Sequence, residues 1–192
     1  MTNYHFSKWQ LYQAESVLSN EGVVACPTET VWGLGCLANS ERAVRRILQI
    51  KARALSKGLI LLASQPEHLQ NWVAPLSARE IERLFQTNEQ PTTWIFKATA
   101  AAPSWITGGR DTIAIRVTTH PLMRALCDRL GLLVSTSANR SGKQVAKRRI
   151  QCLRWFKSEL DGVLPGRCGD EMVEGGMSPS TIIDWQTGQR LR

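Results

Sequence analysis

The sequence predicts a mixed α/β fold in which a twisted sheet packs against helices. Short apolar runs, rich in β-branched residues, alternate irregularly with segments whose apolar residues recur at helical spacing. The chain has 192 residues, 43% of them hydrophobic, which suits one domain with a substantial core. We therefore expect residues 1–192 to form a single domain.

Helix-start signals place the first three helices. Ser7 is expected to cap a helix that ends near Asn20, and Ser40 is expected to cap a second one. Ser77 begins the capping-box pattern of a third, because Glu80 follows three residues later. Apolar residues at helical spacing predict two further helices, at residues 121–130 and 147–160.

The strands are predicted from short runs of apolar and β-branched residues that lie between turn residues. These runs are residues 23–26, 59–63, 93–98, 112–117, 132–135 and 181–184. The glycine-rich segment 162–176 is predicted to be the most mobile loop.

Composition narrows the class of protein. The 24 Lys and Arg residues outnumber the 16 Asp and Glu residues, and this net charge of +8 predicts anionic partners. The five cysteines contain no Cys-x-x-Cys pair, which argues against a zinc site or a disulfide framework and favours buried reduced thiols. No signal peptide and no apolar stretch of ~20 residues is visible, so we expect a soluble cytoplasmic protein without a membrane span.

Residues 27–35 form the most informative segment. Pro27 fixes one backbone angle directly after an apolar run, so the hydroxyls of Thr28 and Thr30 should be held in a rigid loop beside a strand. Gly33 and Gly35 would let the backbone turn sharply or approach a ligand closely. The alternative is an ordinary tight turn with a capping threonine.

A basic segment follows. Six basic residues and no acidic residue lie between Glu41 and Glu67. If a helix has ended by Lys51, the side chains of Lys51 and Arg53 point to one side and suit a phosphate chain. The three basic residues that come first in this segment are instead expected to form a solvated helix face. They are Arg42, Arg45 and Arg46.

Two later segments carry polar or basic residues. Ser135, Ser137 and Asn139 alternate, so an extended backbone would align two hydroxyls and an amide as in a nucleotide or amino-acid pocket. That run holds no His or Cys, so a Ser-His-Asp triad lacks a base. Residues 129–158 contain eight basic residues and no acidic one, which suits RNA phosphates or, equally, a solvated helix face.

Taken in order, these motifs resemble the YrdC/TsaC family of threonylcarbamoyl-AMP synthases, which begin the tRNA modification N6-threonylcarbamoyladenosine (t6A). The resemblance covers nearly the whole chain and is closest to the short, single-domain members. It implies a YrdC-like twisted mixed sheet with helices around a basic concave cavity. The matching segments are residues 27–35, Lys51-x-Arg53 with residues 57–60, 113–117, 135–142 and 179–182.

The resemblance implies a nucleotidyltransferase that joins L-threonine, bicarbonate and ATP and releases pyrophosphate. Lys51 and Arg53 would be the catalytic residues. No protein metal ligand is implied, since Mg²⁺ would be bound through ATP. The implied partners beyond the substrates are tRNA or other RNA on the basic surface and proteins of the t6A pathway. The residues implied in threonine or ATP binding are Thr28, Thr30, Lys57, Thr93, Arg116, Ser135, Ser137, Asn139 and Ser180.

Three positions depart from the family pattern. Trp32 stands where relatives carry Tyr or Phe, and Ala54 replaces a common proline. Gln90 replaces the glycine of a Pro-Gly-Pro-x-Thr turn, where a side chain is strained if the turn needs a positive φ.

Two other functions stay open at this stage. One is an RNA-binding or ribosome-maturation factor with a vestigial nucleotide pocket. The other is a carbamoyl transferase that acts on a different acceptor.

Overall fold

A computed structural model describes residues 6–86, 91–156, 158–168 and 180–191. The helices are α1 (Lys8–Ser19), α2 (Glu41–Lys51), α3 (Ala78–Phe85), α4 (Ser104–Thr107), α5 (Pro121–Leu130) and α6 (Arg149–Phe156). The strands are β1 (Val24–Cys26), β2 (Gly33–Leu37), β3 (Ile60–Ala63), β4 (Thr92–Lys97), β5 (Thr112–Val117), β6 (Leu133–Ser137), β7 (Gly162–Val163) and β8 (Thr181–Asp184). Short 3₁₀ turns lie at Leu55–Lys57 and Pro66–Leu69.

The strands described here form one mixed sheet in the order β7-β1-β2-β6-β3-β5-β4-β8. The pairs β1–β7, β3–β5 and β4–β8 are parallel, whereas β1–β2, β2–β6, β3–β6 and β4–β5 are antiparallel. This order brings the start of β2 and the end of β6 together, because Gly33 pairs with Ser137. Residues far apart in the sequence therefore meet beside the middle of the sheet.

The predicted helix caps are confirmed. The Ser7 and Ser77 side chains form complete capping boxes with Gln10 and Glu80, and the Ser40 hydroxyl accepts a hydrogen bond from the Ala43 amide. These bonds satisfy backbone donors that the first turn of a helix leaves unpaired. The side chains therefore fix where α1, α2 and α3 begin.

The core lies on both faces of the sheet. Leu61 packs in one apolar cluster with α2, α4 and α6, and its neighbour Leu62 packs in another with α1 and α5. Adjacent residues of a strand point to opposite faces, so an uninterrupted apolar run is what a strand covered on both sides requires. All five cysteines are buried and free of disulfides, as predicted.

Of the two roles expected for Gly33 and Gly35, the structure rules out the sharp turn, and Gly33 lines the cavity described below. Gly33 and Gly35 lie in β2, between β1 and β6. A β-carbon at Gly35 would lie 3.0 Å from the Val134 carbonyl oxygen, and one at Gly33 would lie 3.1 Å from the Thr136 carbonyl oxygen. These glycines therefore permit close packing against β6 rather than a sharp turn.

Other boundaries also differ from the predictions. Gly162–Val163 forms β7 in parallel with β1, so the predicted loop 162–176 begins with a strand, and its residues 169–176 lie outside the described residues. The helix predicted at 147–160 spans only Arg149–Phe156. Within the described part of the chain, no helix combines the length and apolar character that crossing a membrane requires.

Candidate functional site

A cavity of about 340 Å³ is lined by the start of β2, the end of β6 and Arg116 near the end of β5. It brings together seven of the eleven residues that the sequence analysis singled out: Thr28, Thr30, Arg53, Arg116, Ser135, Ser137 and Ser180. Four others do not line it: Lys51, Lys57, Thr93 and Asn139. Trp32 lines the cavity and is fully buried, so it keeps an aromatic wall there.

The two threonines have different tasks. The Thr28 hydroxyl donates to the Val31 carbonyl oxygen at 2.8 Å and accepts from the Thr30 amide at 3.2 Å. Thr28 thus fixes the loop through its own hydrogen bonds. The Thr30 hydroxyl lies 3.3 Å from that of Thr28, with both side chains buried at the cavity wall. The loop therefore presents the Thr30 hydroxyl from a constrained backbone.

Arg116 lines the cavity and forms a buried ion pair with Glu29, which does not itself line the cavity. Arg116 Nη2 lies 3.6 Å from Glu29 Oε2 and 3.4 Å from the Ser135 hydroxyl, which are long contacts. Burial alone would raise the pKa of the Glu29 carboxyl. The Arg116 charge and hydrogen bonds from Thr118 and His120 outweigh burial and hold that pKa below its ordinary value. The pair is therefore ionised at neutral pH.

Arg53 is anchored by the backbone that follows it. Its Nη2 donates to the Gly58 carbonyl oxygen at 3.0 Å, while its Nε is buried without a hydrogen-bond partner among the described residues. Burial and the neighbouring Arg110 charge lower the pKa of the Arg53 guanidinium. A half-buried cation whose buried Nε lacks a partner, beside a second cation, is typical of an anion-binding position.

A second cavity of about 190 Å³ adjoins the first and shares Arg53, Leu59 and Ile60 with it. Lys57 and Arg110 line this second cavity. Neither these two cations nor Arg53 makes an ion pair with an acidic side chain in the described residues. The pair of cavities thus forms one concave surface with an excess of positive charge.

Lys51 lies behind the larger cavity. Its ammonium donates to the Ser137 carbonyl oxygen and to two oxygens of Asn139, the carbonyl at 2.8 Å and Oδ1 at 3.0 Å. An ammonium has three donors, so these acceptors satisfy it completely. Burial, followed by the Arg53 charge, lowers the pKa of Lys51 to about 8. Lys51 therefore reaches the 137–139 segment but makes its contacts there with protein oxygens.

Thr93 lies one layer behind Ser180. Their hydroxyl oxygens are 2.9 Å apart, and both side chains are buried between β4 and the start of β8. Ser180 lines the cavity, so Thr93 acts there through Ser180. The glycine replacement at Gln90 lies outside the described residues.

Several residues of the basic surface form ion pairs, among them Arg140 with Glu159. Arg42, Arg45 and Arg46 form surface ion pairs with Glu21, Glu41 and Asp161, as expected of a solvated face. Farther along, Arg140, Lys143, Gln144, Trp155 and Phe156 line a groove of about 430 Å³. Phe156 belongs to the core, whereas Trp155 is 38% exposed.

The sequence analysis missed two residues of this site. Glu29 is the one acidic residue in the segment 27–35, and this isolation was the signal that could have identified it. Arg110 follows Gly108 and Gly109, which both have positive φ and end α4. A pair of glycines before a basic residue was the local signal that could have identified Arg110. Among the described residues, no group of three or more His, Cys, Asp or Glu side chains could hold a metal ion.

Comparisons with known proteins agree with this architecture. The Sua5/YciO/YrdC family profile, described as "Telomere recombination", matches residues 16–192. A protein of Nitrosococcus oceani named threonylcarbamoyl-AMP synthase is 45% identical over 185 residues, covering 96% of this chain and 97% of that protein. One of Halorhodospira halophila with the same name is 42% identical over 185 residues, covering 96% of this chain and 94% of that protein.

Solved structures give the same result. The P. abyssi Sua5 structure complexed with L-threonine has a TM-score of 0.80 and 28% identity, and the match covers 94% of this chain and 52% of that one. The chain thus spans about half the length of that Sua5 protein. E. coli YciO has a TM-score of 0.73 and 23% identity, and the match covers 94% of this chain and 86% of the YciO chain. At this identity the likeness supports the fold alone. On the profile match and the relatives above 40% identity, the chain belongs to the Sua5/YciO/YrdC family.

Proposed function

We propose that this protein is a threonylcarbamoyl-AMP synthase that makes threonylcarbamoyl-AMP and pyrophosphate from L-threonine, bicarbonate and ATP for t6A modification of tRNA. The observation that carries the proposal is one cavity in which a threonine-rich loop, Arg116 and Arg53 face each other. The names of the relatives support this activity and not an RNA-binding factor with a vestigial pocket.

Threonine binds at the end of the cavity formed by Thr30 and Arg116. The Arg116 Nε is buried without a hydrogen-bond partner in the described residues, which suits a substrate carboxylate because a guanidinium binds it in a two-pronged geometry. The Thr30 hydroxyl, which lies 3.3 Å from that of Thr28, lines the same cavity. The P. abyssi Sua5 structure is complexed with L-threonine, which supports threonine as a ligand of this fold.

ATP binds across the two cavities. Its β- and γ-phosphates lie near Arg53, Lys57 and Arg110, where three cations lack acidic partners among the described residues. Its α-phosphate faces Ser135 and Ser137, whose hydroxyls lie at the end of β6. Mg²⁺ comes with ATP, held by phosphate oxygens and water.

The chemistry needs little from the protein beyond positioning and charge compensation. The threonine amine condenses with bicarbonate and releases water, which leaves an anionic carbamate. A carbamate oxygen then attacks the α-phosphorus of ATP. A new P–O bond forms, the bond to the bridging oxygen breaks, and pyrophosphate leaves with that electron pair. The reaction is thus an adenylyl transfer without a covalent protein intermediate.

The remaining predicted residues complete the site. Lys51 serves as a buried cation that holds Ser137 and Asn139 at the end of β6, and Thr93 holds Ser180. We further propose that residues 1–192 act as one domain in the cytoplasm. The basic surface approaches tRNA, and proteins of the t6A pathway receive the product.

The test is pyrophosphate release from ATP by the purified protein, with threonine and bicarbonate each omitted in turn. We expect pyrophosphate release to require both threonine and bicarbonate. Arg53→Ala should lower the rate of release at least ~10²-fold, as removal of a transition-state donor does. Arg42→Ala, on the paired surface, is the matched control. If the wild-type protein releases no pyrophosphate under conditions in which a known family member does, the proposal fails.

A further inference from the structure

We propose that Glu29 sorts the two anionic substrates within the shared cavity: it orients Arg116 toward the carboxylate of threonine and keeps the phosphates of ATP away from that end. The inference rests on the proposed function and assigns to Glu29 a task that none of the eleven predicted site residues performs.

Glu29 is held rigidly through one of its two oxygens. Oε1 accepts hydrogen bonds from the Thr118 hydroxyl at 2.5 Å, the Thr119 amide at 2.8 Å and the His120 amide at 3.0 Å. The three donors come from consecutive residues between β5 and α5, so the loop that carries Thr30 is tied to the end of β5. This carboxylate is fixed before any ligand arrives.

The second oxygen is directed to Arg116. Oε2 lies 3.6 Å from Arg116 Nη2, and it has no hydrogen-bond partner in the described residues. Arg116 likewise keeps its Nε unpartnered there, and its contact with Ser135 is 3.4 Å long. A guanidinium has five donors, so Glu29 sets its orientation by charge while leaving donors for a ligand carboxylate.

Charge is therefore distributed unevenly along the concave surface. At the Arg116 end, one cation is balanced by one ionised carboxylate, because the pKa of Glu29 is held below its ordinary value. At the other end, Arg53, Lys57 and Arg110 have no acidic partner within the described residues. A triphosphate is attracted to the unbalanced end and repelled by Glu29, whereas a single carboxylate can share Arg116 with Glu29.

The decisive variant is Glu29→Gln, which keeps the shape of the side chain and removes its charge. In the wild-type protein, inorganic pyrophosphate is expected to compete with ATP and not with threonine. In Glu29→Gln, pyrophosphate should also compete with threonine, and the threonine KM should rise roughly tenfold with the ATP KM within about twofold of wild type. Glu159→Gln, which breaks the surface pair with Arg140, is the control and should change neither.

A loss of packing alone does not create new competition by pyrophosphate, so this readout separates sorting from stability. If pyrophosphate does not compete with threonine in Glu29→Gln, the sorting role is wrong. If Glu29→Gln fails to fold, Glu29→Asp is the variant to measure. It keeps the negative charge but moves the carboxylate away from Arg116, because its side chain is one methylene shorter. The threonine KM should then rise roughly tenfold without pyrophosphate competition, and an unchanged KM refutes the inference. A wild-type protein that does not use threonine would refute the proposed function instead.

Discussion

Lys51 and Asn139 are joined by two hydrogen bonds from one ammonium group, to the Asn139 carbonyl oxygen at 2.8 Å and to Oδ1 at 3.0 Å. The same Oδ1 accepts from the Ser137 hydroxyl at 2.7 Å, and the Asn139 Nδ2 donates to the Lys143 carbonyl oxygen at 2.6 Å. The end of α2 and the end of β6 are thereby locked together. The hydrogen bonds of Lys51 in this structure go to protein oxygens of the 137–139 segment, and its predicted role toward the ATP phosphates stays a prediction.

Replacement of Lys51 by Ala should therefore lower kcat/KM by at least ~10²-fold, because Ser137 loses its fixed position and the site loses a cation. Steady-state pyrophosphate release measures this effect. Lys8→Ala, which replaces an exposed side chain on α1, is the control and should leave kcat/KM unchanged. Activity close to wild type in Lys51→Ala would remove this residue from the mechanism.

The Arg110 guanidinium gives a prediction specific to ATP. Arg110→Ala should raise the ATP KM roughly tenfold, on the scale of a lost hydrogen bond to a charged group, and should leave the threonine KM unchanged. Arg45→Ala, whose partner Glu41 lies on the same helix face, serves as the comparison. An equal rise in both KM values would mean that Arg110 supports the fold rather than the phosphates.

Lys51 also predicts how activity depends on pH. Its pKa is lowered from 10.5 to about 8 by burial, followed by the charge of Arg53. Above pH 8 the ammonium loses a proton and one of its three hydrogen bonds, so kcat/KM should fall in a single ionisation. Lys51→Arg should remove this fall, since arginine stays charged. A profile that is flat to pH 9.5 in the wild-type protein would contradict the assignment.

The stability of the fold should change with pH in the opposite direction from kcat/KM, through the same Lys51 ammonium. Between pH 8 and pH 10.5 the unfolded chain binds more protons at Lys51 than the folded protein does. The free energy of unfolding contributed by this group therefore increases with pH across that window. Urea unfolding at several pH values, done on the wild-type protein and on Lys51→Met, measures this contribution. It should appear in the wild-type protein alone. Equal slopes of unfolding free energy against pH in the two proteins would contradict it.

A side chain at position 35 in β2 should lower the stability of the fold. A β-carbon there would meet the Val134 carbonyl oxygen at 3.0 Å and Cys26 Sγ at 3.3 Å, so Gly35→Ala should destabilise the fold by ~1–3 kcal/mol. Gly162→Ala is the matched control, because its nearest neighbour is Val24 Cγ1 at 3.7 Å. Thermal unfolding of the two variants tests this, and equal melting temperatures would be inconsistent with the packing described.

Local signals predicted much of the fold. The caps at Ser7, Ser40 and Ser77 determine the helix starts through neighbouring residues, and the bounds of β5, α5 and β8 match the predicted runs. The strand β2 was missed because two glycines in a short run carry turn propensity, and only β6 explains them. The two-residue strand β7 exists through its pairing with β1, which no local pattern reports.

The site was predicted less completely for the same reason. Thr30, Arg116 and Ser135 could be identified from their motifs, but their convergence on one cavity depends on the strand order. The contact between Lys51 and Asn139 and that between Glu29 and Arg116 join residues far apart in the sequence. Such pairings follow from the sheet topology rather than from spacing, which explains why neither contact could be predicted from the motifs.

The most direct test of the central claim uses ¹³C-labelled bicarbonate with L-threonine and ATP, and mass spectrometry of the nucleotide product. The account predicts that the wild-type protein produces threonylcarbamoyl-AMP carrying one ¹³C atom, and that Arg53→Ala and Arg116→Ala nearly abolish it while Arg42→Ala does not. Labelled product formed equally well by Arg53→Ala and Arg116→Ala, or no labelled product from the wild-type protein, would contradict the claim that this cavity joins the two substrates.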